Sequence, residues 1–77
     1  MTRSEAKTIR NDLRDQFDLG MKYYLSICKF GRDDFGLVLS VQSKQLQIAD
    51  DNEYHYFFTT RDPERMERML SLICKRK

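Results

Sequence analysis

The sequence predicts an α+β fold: a two-layer sandwich in which an N-terminal and a C-terminal helix cover one face of an antiparallel meander. Near both ends of the 77-residue chain, apolar residues recur at spacings of three and four, which is typical of amphipathic helices. Between these segments apolar and polar residues alternate, which is typical of strands with one buried face. The breaks between segments are short, so consecutive elements should be neighbours. We therefore expect residues 1–77 to form a single globular domain.

The first helix is predicted from about residue 3 to residue 19. Thr2 and Glu5 have the spacing of a capping box, in which each side chain bonds the backbone N–H of the other residue. The apolar stripe that follows consists of Ala6, Ile9, Leu13 and Phe17. Gly20 is placed to end the helix, because glycine adopts a left-handed backbone at little cost.

Alternating or β-branched residues predict the strands. The clearest segments are residues 21–30, 35–42 and 54–60, and a weaker one covers residues 45–49. The sheet therefore has four strands, or three with a long bent middle strand. In the last segment both sets of alternate residues are aromatic, so the pattern leaves open which set faces the helices.

The last helix is predicted to open at Asp62-Pro63-Glu64. Asp62 caps it, Pro63 occupies the first position where its missing N–H costs nothing, and Glu64 lies near the positive helix end. Its apolar stripe consists of Met66, Met69, Leu70 and Ile73. The basic residues 75–77 are expected at the negative end of this helix, where cations are favoured.

The residue types that catalysis requires do not occur together in this sequence. Its one histidine, His55, lies in a predicted strand, and the three glycines lack the spacing of a phosphate-binding loop. Two distant cysteines and one histidine are too few to form a zinc site, and the acidic turns lack calcium-loop spacing. We therefore expect no catalytic residues, no metal and no cofactor.

Cysteine content and hydropathy bear on where the protein works. Cys28 and Cys74 are the only cysteines, fewer than small secreted domains usually carry, so we interpret them as reduced thiols of a cytoplasmic protein. A disulfide between them would require the last helix to lie against the first strand. No apolar run reaches the roughly 18 residues of a membrane span, and no membrane partner is expected.

The side of the sheet facing away from the helices, here called the outer face, is predicted to be nearly free of charge. Besides Cys28 it carries Tyr24, Ser26, Val38, Ser40, Gln42, Gln45 and Gln47. Interface centres are depleted in charge and enriched in tyrosine, so this face is predicted to bind a partner. Because two helices are too few to cover both faces, it should be open in the isolated chain.

Basic residues suggest a second surface. At about 100° per residue, Arg3, Lys7, Arg10 and Arg14 fall on one stripe of the first helix. A second stripe on the last helix is assigned Arg65, Arg68 and Arg76. Such stripes suit phosphate backbones or an acidic protein. The net charge of +2 is too balanced to decide between these partners.

These observations favour a small non-enzymatic binding protein that acts by protein–protein contact, as an adaptor, assembly factor or inhibitor. Compact chains without a catalytic constellation are common among phage- and plasmid-encoded inhibitors. The alternative is an RNA- or DNA-binding protein that uses the basic stripes. A homodimer that buries the outer face on a two-fold axis is compatible with either function.

Overall fold

The computed structural model describes residues 1–42 and 54–77. Its elements are α1 (Arg3–Gln16), β1 (Phe17–Asp18), β2 (Tyr23–Lys29), β3 (Phe35–Gln42), β4 (Tyr54–Thr60), α2 (Pro63–Ile73) and β5 (Lys75–Arg76). This order, with the antiparallel meander β2-β3-β4, confirms the predicted α+β class. The predicted break at residues 43–44 and strand at residues 45–49 lie outside the described residues.

The start of α1 is fixed by its predicted capping box. The Glu5 backbone N–H donates to Thr2 Oγ1, and the Thr2 N–H donates to Glu5 Oε1, each at 3.1 Å. These two bonds satisfy backbone donors that the first turn cannot pair internally. The bond from the Thr2 N–H foremost, and the nearby Thr2 hydroxyl, hold the pKa of the Glu5 carboxyl below its ordinary value.

The end of α1 differs from the prediction. The helix stops at Gln16 instead of residue 19, because Phe17 is extended (φ −119°, ψ 145°) and pairs antiparallel with Arg76. The Phe17 side chain is completely buried, and the Arg76 guanidinium lies 4.6 Å from its ring centroid. Gly20 is left-handed (φ +62°), but in the turn after β1, where its N–H donates to Asp18 Oδ1.

The register of the meander places alternate residues on opposite faces. Tyr23, Leu25 and Ile27 of β2 pair with Val41, Leu39 and Leu37 of β3. In β4 the register shifts: Phe58 pairs with Leu39, whereas Tyr56 pairs with Ser40. Phe58 packs against the core because it pairs with the buried Leu39, whereas the bulge places Tyr56 opposite the outer-face residue Ser40.

Both helices pack on the same face of the sheet, as predicted. α1 contacts β2 and β3, and α2 contacts β4. The shared core consists of Leu13, Phe17, Leu25, Leu37, Leu39, Met66 and Leu70. The partly buried Ile9, Met69 and Ile73 pack against it, so both predicted apolar stripes face the sheet.

α2 begins as predicted, but the basic residues that follow it do not lie at its negative end as expected. Asp62 Oδ1 accepts from the Glu64 N–H at 3.0 Å, and Pro63 is the first helical residue. The last turn of α2 contains no basic residue, because Lys75 and Arg76 form β5 instead of continuing the helix. The tail is held by pairing with β1 and by a bond from the Lys77 N–H to the Gln16 carbonyl at 2.9 Å.

Candidate partner-binding face

The register assembles the described part of the outer face. Tyr24, Ser26 and Cys28 of β2 pair with Ser40, Val38 and Gly36 of β3, and Val38 also pairs with Thr59 of β4. None of these residues is charged. The structure describes the backbone of Gln42 but not its side chain. Gln45 and Gln47 lie outside the described residues.

The outer face is not open along its middle strand, contrary to the expectation from sequence. Val38 is only 3% exposed and Ser40 only 4%, while Ser26 and Cys28 are half-buried. Both buried residues lie on β3, the middle strand of the meander. Tyr24, on the edge of the meander, remains 46% exposed.

Phe30 lies against the far end of this face. A Cβ atom added to Gly36 would come within 2.6 Å of Phe30 Cδ2 and 2.8 Å of the Thr60 carbonyl oxygen. Only glycine therefore fits at this position, and the ring takes the space that a side chain would occupy. The Phe30 side chain is still 43% exposed.

A chain of polar contacts connects Phe30 to Met1. The Arg61 guanidinium lies over the Phe30 ring, 5.6 Å from its centroid, and Nη1 donates to Asp34 Oδ2 at 2.6 Å. The other oxygen of Asp34 accepts from the α-amino group of Met1 at 2.8 Å. These two cations, the Met1 ammonium foremost, hold the pKa of Asp34 below its ordinary value.

A depression of about 310 Å³ opens on the outer face beside Phe30. It is lined by Cys28, Lys29, Phe30, Val38 and Thr59. Partial burial raises the pKa of the Cys28 thiol, so this group is neutral at physiological pH. Lys29 alternates with Cys28 along β2 and pairs with Phe35, so its side chain starts from the opposite face of the sheet. Lys29 is exposed and forms no salt bridge within the described residues.

The sequence reasoning missed Phe30 and Gly36 as parts of this face. It ended the first strand near residue 30 and considered Gly36 only for phosphate-loop spacing, which the three glycines lack. A glycine inside a strand pattern is a sign of close approach by another group, and this signal was present at Gly36.

The basic stripe on α1 is largely exposed. Arg3, Lys7 and Arg14 are exposed, while Arg10 is half-buried and donates to Asn11 Oδ1 at 3.2 Å. No salt bridge between described residues involves any of the four. Arg14 borders depressions of about 340 and 420 Å³, but Asp18 lines the first and Asp15 the second, so an anion in either would also meet a carboxylate.

The second basic stripe is smaller than the sequence suggested. Arg65 and Arg68 are exposed on α2, with the Arg65 guanidinium 5.8 Å from the Phe58 ring centroid. Arg76 is not on the helix but in β5, where Nη2 pairs with Glu67 Oε1 at 3.0 Å and Nη1 contacts Gln16. These contacts, together with its position over Phe17, give Arg76 a structural role.

Other kinds of site are not found among the described residues. Cys28 and Cys74 are both free, and burial raises the pKa of the Cys74 thiol as well. In the described ranges no three His, Cys, Asp or Glu side chains gather as a metal site would require. Neither α1 nor α2 has the length and apolar character that a membrane crossing demands.

Comparisons with protein-family models, with curated proteins and with solved structures each gave no match to this chain.

Proposed function

We propose that this chain is a non-enzymatic binding protein that docks a protein partner on the outer face of its sheet. The observation that carries the proposal is the absence of charge from the described residues of this face, with exposed aromatic residues at its margins. Tyr24 lies at one end and Phe30 at the other. Aromatic residues are enriched, and charged residues depleted, at the centres of protein interfaces.

The size of the sheet limits what kind of contact this face makes. Three strands of about seven residues cover roughly 14 by 23 Å, or about 320 Å². A stable interface of standard size buries about 800 Å² on each partner. The contact must therefore extend beyond the sheet, and the exposed margins at Tyr24 and Phe30 are where it would continue.

An adaptor, an assembly factor and an inhibitor would all act in this way, by occupying a partner's surface without turnover. The raised thiol pKa values of Cys28 and Cys74 favour neutral, weakly nucleophilic groups, which also supports a binding role.

The alternative function is RNA or DNA binding through α1. The observation that favours it is the exposure of Arg3, Lys7 and Arg14 without salt bridges in the described part of the chain. The carboxylates of Asp15 and Asp18 beside Arg14 weigh against it, because they would repel phosphates.

Affinity capture from a nuclease-treated lysate of the native cell tests the proposal, with the captured protein then titrated in purified form. We expect Tyr24→Ala to weaken association by about 1–3 kcal/mol, because truncation removes a large aromatic contact. Met21→Ala is the matched control: Met21 is 91% exposed and precedes β2, outside the outer face. The result would instead favour an acidic or phosphate-rich partner if Tyr24→Ala left association unchanged while Arg10→Glu and Arg14→Glu abolished it.

Gel retardation of bulk nucleic acid across a salt series tests the alternative directly. Phosphate contacts give a retardation that weakens steeply with added salt. We expect no such retardation from the wild-type chain. If the wild-type chain retarded nucleic acid with a steep dependence on salt, and Arg14→Glu removed that retardation, the nucleic-acid alternative would be favoured over a protein partner.

Light scattering on the purified chain tests whether the partner is a second copy. A dimer through the outer face should dissociate when Ser26→Lys places two like charges near the two-fold axis. The same substitution should not change a self-association that uses another surface of the chain.

A further inference from the structure

We infer that the basic stripe on α1 docks an acidic segment of a protein partner, in which carboxylates recur at helical spacing. The inference goes beyond the proposed function, since it assigns a second surface and does not depend on the outer face. The stripe consists of Arg3, Lys7, Arg10 and Arg14.

The stripe has no carboxylate among its neighbours along the helix. Side chains three and four positions apart on a helix lie side by side, and around Arg3, Lys7 and Arg10 those positions hold no Asp or Glu. Arg10 donates to the neutral amide oxygen of Asn11, so its charge is not cancelled. In the described part of the chain no salt bridge reaches the stripe from another element. The carboxylates of α1 lie on another side of the helix, at Glu5, Asp12 and Asp15.

The stripe costs α1 stability in the isolated chain. Arg3 and Lys7 are four positions apart, as are Arg10 and Arg14, and like charges at this spacing repel each other. Arg3 is also the first residue of α1, where the helix dipole disfavours a cation. A face that served solubility alone would intersperse both signs of charge. A partner that supplies carboxylates would turn the repulsion within the stripe into attraction.

The spacing of the stripe matches carboxylates on one face of a facing helix. At 1.5 Å per residue, neighbouring cations of the stripe lie about 6, 4.5 and 6 Å apart along the helix axis, over a length of about 16 Å. Spacings of four, three and four residues read the same in both directions, so an acidic helix fits parallel or antiparallel to α1. The partner segment therefore carries Asp or Glu at successive spacings of three or four.

The end of the stripe at Arg14 contributes least to this attraction. Lys77 borders both depressions that Arg14 borders, and so adds a cation there. Asp18 lines the first depression and Asp15 the second, so carboxylates oppose these two cations. The strongest attraction for a partner carboxylate therefore lies between Arg3 and Arg10.

The small extent of the basic surface favours an acidic protein segment over a nucleic acid. Proteins that bind a phosphate backbone gain affinity from about 6–10 phosphate contacts, whereas the stripe supplies four cations. The second stripe does not enlarge this number by Arg76, which lies in β5 and pairs with Glu67. The stripe also lacks an aromatic residue on which a base could stack. Nucleic acid is therefore the competing outcome of the experiment.

Titration of the ¹⁵N-labelled full chain with three alanine-based helical peptides at low ionic strength, followed by NMR, tests the inference. The first peptide carries four glutamates at spacings of four, three and four, the second carries four glutamates spread around the helix, and the third carries glutamine in place of glutamate. We expect the first to give saturable shifts centred on Arg3, Lys7 and Arg10. The second should bind about tenfold more weakly, because it places fewer glutamates on the stripe. The third should give no saturable shifts.

Lys7→Gln separates a binding role of the stripe from a structural one. Loss of one exposed ion pair should weaken binding of the first peptide by about two- to fivefold. The same substitution relieves like-charge repulsion, so the melting temperature of the free chain should rise by about 1–4 °C. A lysine kept for stability would instead lower the melting temperature when replaced.

Arg68→Gln is the matched control, with the same loss of charge on α2. Arg68 is exposed and lies four positions after Glu64, a favourable spacing for opposite charges. We therefore expect Arg68→Gln to leave the affinity for the first peptide unchanged and not to raise the melting temperature.

Three results would overturn the inference. Equal affinity for the first and second peptides would show that the chain responds to charge but not to its spacing, and undiminished affinity in Lys7→Gln would show that the stripe is not the site. Tighter binding of a uridine pentanucleotide, whose four phosphates match the four glutamates in charge, would assign the stripe to nucleic acid. Each of these results leaves the outer-face proposal standing, because that proposal is tested by Tyr24→Ala with the captured partner.

Discussion

The two faces of β3 are equally buried but differ in chemistry. On the inner face Leu37 and Leu39 are completely buried beneath the helices, and on the outer face Val38 and Ser40 are 3% and 4% exposed. The inner residues are large and touch the side chains of α1 and α2, whereas the outer residues are smaller and one is polar. Burial alone therefore does not distinguish the core from the outer face of β3, whereas side-chain size and polarity do.

The comparison also locates the accessible part of the outer face. Its middle strand offers little surface, so a partner docking on this face as proposed would contact its margins, where Tyr24 and Phe30 are nearly half exposed. Phe30 in turn depends on Gly36 beneath it and on the Arg61–Asp34 pair beside it. Apolar packing stabilises the inner face. The Phe30 ring and its polar contacts with Arg61 and Asp34 stabilise this margin of the outer face.

The largest expected difference between the faces is in the free energy of unfolding. Leu39→Ala should cost about 2–5 kcal/mol, because the surrounding core cannot fully close the cavity. Val38→Ala removes fewer carbons beside an open depression and should cost about 1–2 kcal/mol. Urea denaturation measures both. An equal cost for Val38→Ala would mean that the outer face belongs to a second core.

Gly36→Ala should destabilise the protein by about 1–3 kcal/mol, the usual cost of overpacking. The added methyl group would meet the Phe30 ring and the Thr60 carbonyl, which is backbone and cannot turn aside. Gly31→Ala is the matched control, since a Cβ there meets only the Asp34 Cβ at 3.6 Å. We expect it to change stability by less than about 0.5 kcal/mol.

A double-mutant cycle sharpens the same prediction. In the Phe30→Ala background the ring no longer opposes the new methyl group, so Gly36→Ala should cost less than it does alone. Strict additivity of the two substitutions would show that the Phe30–Gly36 contact does not hold this margin of the face.

The sequence predicted best where structure is determined locally. Thr2 with Glu5 and Asp62 with Pro63 identified both helix starts, because capping involves residues only two or three positions apart. Alternation identified β2 and β3 for the same reason. Alternation also grouped Tyr24 with Ser26 and Val38 with Ser40, and the register of β2 with β3 places the two pairs on the same face.

Contacts between distant residues were not predictable from these patterns. α1 ends early because Phe17 pairs with Arg76, 59 positions away, and no local signal at Phe17 reports this partner. Alternation within β3 did not indicate that Val38 and Ser40 are buried, nor that the pairing of β3 with β4 shifts register between Leu39 and Ser40. The sequence therefore placed Tyr24 on the outer face, but it indicated neither the burial of Val38 and Ser40 nor the margin formed by Phe30.

The smallest expected effect concerns the polar chain at the Phe30 margin, and it depends on pH. The pKa of Asp34 is lowered by the Met1 ammonium and by Arg61, so its ionised form is favoured in the folded state. Its contribution to stability is therefore present above the unfolded-state pKa of about 3.9 and is lost as the pH falls through the lower folded-state value. We expect Asp34→Asn to be less stable than the wild type at neutral pH, and this difference to shrink in acid.

Asp33→Asn is the control, because Asp33 is exposed and forms no salt bridge within the described residues. Thermal unfolding of the three proteins from pH 7 to pH 2 measures the effect. A wild-type advantage that stayed constant into acid would show that the Asp34 carboxylate is not what holds Arg61 over the Phe30 ring.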